Sequence, residues 1–218
     1  MTDGSPEPLT AAQFQLETGI GDSERARLET YLGLLEEWRP RVNLVAHSTF
    51  TDPWRRHVLD SAQLMPLLPD GLGRIADLGS GAGFPGMVLA MLGASDVHLI
   101  ESEGRKCAFL ETVSRETNCP VTIHNNRAET LPGLAADVVT ARALAPCKRL
   151  LPLVARHLNA DGTALLLKGR KAEEELTECS KNWMMSLTRI QSRSDPSGTI
   201  LNVRDLTFKY QKKSTRNQ

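Results

Sequence analysis

The sequence predicts an α/β chain: a doubly wound, mostly parallel sheet that ends in a C-terminal antiparallel hairpin and is preceded by a helical N-terminal extension. Three observations predict it. Over residues 1–70 the apolar positions recur at helical spacing. From Arg74 onward short apolar or β-branched runs ending in polar residues alternate with helix-like segments, the rhythm of strands joined by crossover helices. Near the end the turn signal Asp195-Pro196-Ser197-Gly198 lies between two extended runs, and a connection that short joins antiparallel strands.

Taken in order, Thr10-Ala11-Ala12-Gln13 has the spacing of a capping box and starts a first helix. Leu28, Tyr31, Leu32, Leu35 and Trp38 form the apolar stripe of a second, which Pro40 ends. Asp52-Pro53 opens a third, with Trp54, Val58, Ala62 and Met65 on its apolar face. Strands are expected at Arg74–Leu78, Val97–Glu101, Val121–His124, Asp137–Ala141 and Thr163–Lys168. Helices near Pro85–Leu92, Arg105–Asn118 and Pro146–Leu158 connect them, and doubly wound connections of this kind cover both faces of a sheet. A further helix is expected over Ala172–Trp183, then strands at Ser186–Ser192 and Thr199–Phe208. Residues 209–218, with Lys209, Lys212, Lys213 and Arg216 among polar neighbours, read as a basic disordered tail able to touch RNA. The division is thus 1–70, 71–208 and 209–218.

With 218 residues, 24% charged and 40% hydrophobic, the chain has the balance of a globular domain with an extension, and collagen-like or low-complexity classes are excluded. The net charge of zero hides a skew. Residues 1–40 hold 3 basic and 8 acidic side chains, residues 41–140 hold 8 and 11, and residues 141–218 hold 15 and 7. A basic C-terminal third suits either a partner of negative charge, nucleic acid above all, or a solvated face. Cys107, Cys119, Cys147 and Cys179 form no Cys-x-x-Cys pair, so neither a disulfide framework nor a zinc site is expected. Met1–Pro8 is acidic, and no apolar run approaches the ~20 residues of a membrane span. A reducing, cytoplasmic compartment and a monomer follow as expectations.

The chemistry-bearing segment is Gly79-Ser80-Gly81-Ala82-Gly83-Phe84-Pro85-Gly86, between a strand and an apolar helix. Glycines let the backbone approach a ligand closely, and the unpaired N–H groups of a helix start face it. A Gly-x-Gly-x-x-Gly pattern, readable at Gly81, Gly83 and Gly86, does not by itself choose between nucleotide ligands. Asp77 is the discriminator: its carboxylate opposes a pyrophosphate and suits the cationic S-adenosyl-L-methionine, or else it caps the turn. Glu101, 22 positions beyond Gly79, stands where a ribose-binding acid is placed in such folds. Asn125-Asn126-Arg127-Ala128-Glu129 would supply backbone amides and the Glu129 carboxylate to an adenine edge, unless Glu129 is only an exposed loop acid.

These residues resemble a known family. Asp77 through Gly86, preceded by Asn43-Leu44 and by Arg56-His57-Val58-Leu59-Asp60-Ser61, is similar to the glucose-inhibited division protein B family, the bacterial small-subunit rRNA guanine-N7 methyltransferases. The similarity spans about residues 28–168 and continues through Arg127-Ala128-Glu129, Ala141-Arg142-Ala143 and Leu167-Lys168-Gly169. It implies a Rossmann-like class I methyltransferase sheet and the cofactor S-adenosyl-L-methionine. Cofactor contacts are implied at Gly79, Phe84, Ala128, Glu129 and Arg142, with Glu101, Asp77 and Gly81 beside them. Phe84 can equally be a core aromatic, and Arg142 can serve cofactor, RNA or an ion pair. The implied substrate is a guanine of 16S rRNA in a small-subunit particle. The chain departs from the family at Gly198-Thr199, where members often carry a basic pair.

Guanine N7 carries no proton, so its methylation needs no general base, and none is assigned. Arg142, Lys168, Asp60 and His57 are the substrate-positioning candidates, with helix-to-sheet fastening the plain alternative for His57 and Asp60. Lys168, Arg170, Lys171 and the tail are expected to meet phosphates. Two rival readings stay open, a nicotinamide-dependent oxidoreductase and a noncatalytic RNA-binding module that keeps the fold.

Overall fold

The computed structural model describes residues 7–46, 49–71 and 73–209. Seven strands form one sheet in the order β3-β2-β1-β4-β5-β7-β6. The strands are β1 (Arg74–Leu78), β2 (Asp96–Glu101), β3 (Thr122–Asn125), β4 (Ala136–Arg142), β5 (Leu158–Lys168), β6 (Trp183–Gln191) and β7 (Thr199–Phe208). β1 through β5 pair in parallel, and β7 inserts antiparallel between β5 and β6. The predicted architecture holds, and the order reverses at β1, which places the switch point between β1 and β4.

Pleating decides which helices cover which face. On β1, Ile75 joins one apolar cluster, while Ala76 and Leu78 join the other. The first face is covered by α1 (Ala11–Thr18), α2 (Asp22–Trp38), α3 (a π-wound stretch, Trp54–Leu59, that continues as Asp60–Ala62), α4 (Gly86–Met91) and α5 (Gly104–Glu116). The second is covered by α6 (Cys147–His157) and α7 (Ala172–Cys179). The N-terminal helices therefore share a core with the sheet: Phe14, Leu28, Tyr31 and Leu35 are buried in one cluster with Ile75 and Leu99.

Local signals act as expected at the start of α1. Thr10 and Gln13 form a complete capping box, with the Gln13 amide donating to Thr10 Oγ1 at 3.2 Å and the Thr10 amide donating to Gln13 Oε1 at 2.9 Å. At α3 the expected start moves by one residue: Pro53 and not Asp52 holds the N-cap position, the first turn is π-wound, and Asp52 accepts from the Arg55 amide at 3.3 Å just ahead of it.

The structure corrects three boundaries. The helix expected over Ala172–Trp183 ends at Cys179, and Trp183 instead opens β6, because pairing with β7 (Trp183 opposite Phe208) outweighs the helical reading of Trp183-Met184-Met185. The strand expected from Thr163 begins at Leu158, opposite Ala136, across a register irregularity. Leu158 thus leaves the helix predicted to contain it. The tail lies outside the described residues beyond Lys209.

Candidate active site at the junction of two clefts

The glycine turn follows β1 at the sheet's carboxyl edge. Gly79 and Gly81 have φ of 65° and 57°, in the left-handed region that favours glycine. A Cβ on Gly81 would make only an ordinary contact with the Gly79 carbonyl oxygen at 3.9 Å, whereas a Cβ on Gly79 would run into the Leu144 side chain. Asp77, at the end of β1, is fully buried. Its Oδ1 accepts from Thr140 Oγ1 at 2.8 Å and its Oδ2 from the Gly86 amide at 3.3 Å. Burial pushes its carboxyl above the ordinary range, while the Thr140 and Gly86 hydrogen bonds hold it back. The carboxylate expected to face a ligand therefore faces inward and ties the turn to β4 and α4. The Phe84–Pro85 peptide within the turn is cis.

Glu101 ends β2 with both oxygens engaged. Oε2 accepts from the Gly81 amide at 2.9 Å and Oε1 from the Glu103 amide at 2.8 Å. The carboxylate holds the glycine turn open from the neighbouring strand, and the Ser80 amide reinforces this by donating to Ile100 O at 3.0 Å. Gly79, Gly81, Glu101, Ala128, Glu129 and Arg142 all line one cleft of about 340 Å³. The structure thus brings together six of the eight cofactor-side candidates, while Asp77 and Phe84 are buried and do not line this cleft.

Phe84 is the centre of a stack. Tyr31 lies against it at 5.1 Å between ring centroids and His57 at 4.9 Å, while the Arg142 guanidinium carbon sits 4.8 Å from the ring centroid. The Tyr31 hydroxyl donates to the Ala82 carbonyl, so α2 reaches the glycine turn across 51 positions of sequence. Sequence reasoning took Tyr31 as a core residue and missed this second role, for which the pattern carries no signal.

Arg142, at the end of β4, fastens the sheet to α3. Its Nη1 donates toward the Arg56 carbonyl at 3.1 Å, His57 Nδ1 at 3.2 Å and Asp60 Oδ2 at 3.2 Å. Arginine only donates, so Nδ1 is the acceptor and the His57 proton sits on Nε2, a buried atom with no partner among the described residues. Burial, then the charges of Arg142 and Arg56, push the His57 pKa down to about 3. The Asp60 carboxylate also accepts from the Ser194 hydroxyl and from Gln63 Nε2 at 3.1 Å.

His57, Asp60, Arg142 and Lys168 all line a second, larger cleft of about 680 Å³, together with Arg56 and Asp195. The four substrate-side candidates are thus together, but Lys168 points inward: its Nζ donates to the Ala145 carbonyl at 2.7 Å and to Glu175 Oε2 at 2.9 Å. The hairpin turn that leads through Gly198 into Thr199 of β7 docks onto α3 through an Arg56–Asp195 ion pair at 2.8 Å. Arg142, Ala143 and Leu144 line both clefts, so the two sites meet at one short segment. Among the described residues no group of His, Cys, Asp or Glu could hold a metal ion. None of their helices is long and apolar enough to cross a membrane.

A mostly parallel sheet with a β7 strand inserted antiparallel, a glycine turn after β1 and an acid at the end of β2 define a class I S-adenosyl-L-methionine-dependent methyltransferase. Solved structures share the fold. A methyltransferase from Aquifex aeolicus matches with a TM-score of 0.54 at 16% identity, over 70% of this chain and 93% of that one. TYW2 from M. jannaschii, solved with AdoMet, matches with a TM-score of 0.53 at 12% identity, over 73% and 76%. The family described as GidB, rRNA small subunit methyltransferase G, matches residues 24–197, and the chain belongs to it. Among curated relatives, the Ribosomal RNA small subunit methyltransferase G of Paramagnetospirillum magneticum is 52% identical over 87% of this chain and 93% of its own length. That of Rhodospirillum centenum is 50% identical over 92% and 94%.

Proposed function

We propose that this chain transfers the methyl group of S-adenosyl-L-methionine to N7 of a guanine in small-subunit rRNA, in the cytoplasm, acting as a monomer on a ribosomal particle. The observation that carries the reading is the junction of the two clefts at Arg142–Leu144, which lets a small cofactor and a larger substrate meet at one short segment. The names of the curated relatives support the substrate class.

The residues present fit the cofactor. Two glycines at positive φ give close backbone approach, and the Glu101 and Glu129 carboxylates offer acceptors in the same cleft. Gly79, Gly81, Glu101, Ala128, Glu129 and Arg142 would hold it, while Asp77 and Phe84 shape the turn and brace Arg142. When bound, S-adenosyl-L-methionine supplies an electrophilic methyl on a sulfonium. The chain's own residues would only have to hold guanine N7 in line with that methyl, because N7 carries no proton for a base to remove.

The side chains around the larger cleft agree with a reaction that needs no base. His57 is pushed down to about 3, Asp195 down to about 2 by its Arg56 hydrogen bond, and Glu175 is lowered by Lys168. None is moved toward neutrality, where a general base works. The chain's contribution is placement, and preorganised placement of two reactants can supply ~7 to 11 kcal/mol of a barrier. Arg142, Asp60 and His57, locked to one another, form a rigid wall for this. Arg56, ion-paired with Asp195, adds a positive charge to the cleft lining.

The test is to incubate the protein with methyl-labelled S-adenosyl-L-methionine and small ribosomal subunits from cells lacking it, then map the label. Label at N7 of one guanine is expected. Binding of NADH without binding of S-adenosylhomocysteine, by isothermal titration, would overturn the reading in favour of an oxidoreductase. Cofactor binding with no transfer to any ribosomal substrate would leave a noncatalytic RNA-binding module.

A further inference from the structure

Four residues, 143–146, connect β4 to α6, and all four wall the larger cleft. Ala143 and Leu144 wall the smaller one as well. This segment therefore stands where methyl donor and acceptor must meet, and its placement bears directly on their alignment. Leu144 is the exposed apolar residue at its middle, 38% accessible, with its side chain laid over Gly79.

What holds the segment is different at its two ends. The upstream end is Arg142, locked to α3. The downstream end relies on a residue of α7. One Glu175 oxygen, Oε2, accepts from the Cys147 amide at 2.9 Å and from Lys168 Nζ at 2.9 Å. The same ammonium donates to the Ala145 carbonyl at 2.7 Å. α6 has no side-chain cap of its own from Pro146, so Glu175, 28 positions away, satisfies its first amide. Its negative charge also lies at that helix's positive end. The Lys168 side chain is 10% accessible and Glu175 22%, so the pair is largely withdrawn from water. Removing one partner of such a pair leaves the other charge uncompensated, and the pair is then a fixed clamp rather than a fluctuating surface contact.

We infer that Glu175 is a positioning residue for methyl transfer: through Lys168 and the N-terminus of α6 it fixes the 143–146 segment between the two clefts. Lys168 accordingly serves the protein and not the RNA phosphates. The inference rests on the proposed methyl transfer.

The experiment compares wild type, Glu175→Gln, Lys168→Met and the double variant. It measures single-turnover methylation of small ribosomal subunits at saturating cofactor, subunit affinity as a function of salt, and S-adenosylhomocysteine binding. Each single variant should slow transfer on the order of 10- to 100-fold, the scale of a modest misplacement of reacting groups. Subunit affinity and its salt slope should stay at wild-type values. The double variant should be no slower than the slower single, since both remove the same clamp. The inference is overturned if Lys168→Met weakens subunit binding and flattens the salt slope while Glu175→Gln transfers at the wild-type rate. Multiplicative losses in the double variant overturn it too. Should Glu175→Gln lose cooperative unfolding, Lys168→Met decides alone: slower transfer at unchanged affinity supports the clamp, and weaker affinity overturns it. A wild-type protein that methylates no subunit removes the proposed function itself, whereas an active wild type with equally fast variants removes only this inference.

Discussion

The two clefts are built from different materials. The smaller one is made where the ends of β1, β2, β3 and β4 meet, and its key contacts run to backbone: Glu101 to the amides of Gly81 and Glu103, the Ser80 amide to the Ile100 carbonyl. The larger one is assembled from segments far apart in sequence and closed by ion pairs between side chains, Arg142–Asp60, Arg56–Asp195 and Lys168–Glu175. A backbone-built site has a shape that few substitutions reach, but those few remove it. A site held by ion pairs changes by degrees, and it responds to salt and pH. Substitutions on the cofactor side should therefore abolish binding, while those on the substrate side should slow transfer or loosen the fold slightly.

The largest effect is expected at Gly79. A β-branched residue there must adopt φ near 65°, at about 1–2 kcal/mol, and its Cβ meets Leu144. Gly79→Val should abolish S-adenosylhomocysteine binding in isothermal titration with the melting transition still cooperative. Retained binding would mean that the cofactor lies elsewhere and would dissolve the contrast between the clefts. Next is Glu101→Gln. The amide keeps one acceptor oxygen where two backbone amides now donate, and hydrogen bonds to a charged group contribute about 1.5–3 kcal/mol. Cofactor affinity should fall on the order of 10- to 100-fold. Affinity unchanged in that variant would show that the turn stays open without the carboxylate.

The same contrast explains what the sequence allowed a reader to see. The strand, glycine turn and helix of residues 74–91 follow one another directly, so their chemistry is written in local order, and β1 was legible to the residue. Asp77 was legible as important but not in its direction. Nothing in a one-dimensional pattern shows that Thr140, 63 positions away, turns its carboxylate inward. Glu175 lies in the run Glu173-Glu174-Glu175, whose pattern carries no sign of Lys168, and only the fold brings the two together. Arg142 and Lys168 were found through family resemblance, which gives a residue's company but not its bonding. The start of β5 was missed because Asn159-Ala160-Asp161-Gly162 has turn composition, and pairing with Ala136 overrides it.

A smaller effect is expected at the Arg56–Asp195 pair, which ties the hairpin turn to α3. Its side chains are 39% and 30% exposed, so solvent screening holds the pair to about 1 kcal/mol or less. Asp195→Asn should lower the melting temperature by only a few degrees, and added salt should shrink that difference. Asp195 is depressed to about 2, so the pair's contribution is present above the ordinary carboxylate range and is lost as pH falls toward 2. A melting temperature lowered by tens of degrees, insensitive to salt, would show that the larger cleft is held as rigidly as the smaller.

The smallest effect expected is on the pH profile of transfer near neutrality, and it bears most on mechanism. His57 lines the larger cleft, and a histidine there invites the role of base. Its pKa is pushed from 6.5 to about 3, so the ring is neutral throughout the physiological range, and guanine N7 has no proton to give it. Single-turnover rates should be flat from pH 6 to 8. His57→Ala should lower the rate through lost packing on Phe84 and a loosened Arg142 without changing that flatness. Stability should show what the rate does not. Between pH 6.5 and about 3 the unfolded chain binds a proton at this position that the folded chain excludes, so folding weakens as pH falls through that window. His57→Ala should remove part of that dependence in urea titrations. A wild-type rate that rises through a pKa near 6.5, erased by His57→Ala, would place a working base in the larger cleft. The reacting atom would then be one that loses a proton, and N7 would not be the target.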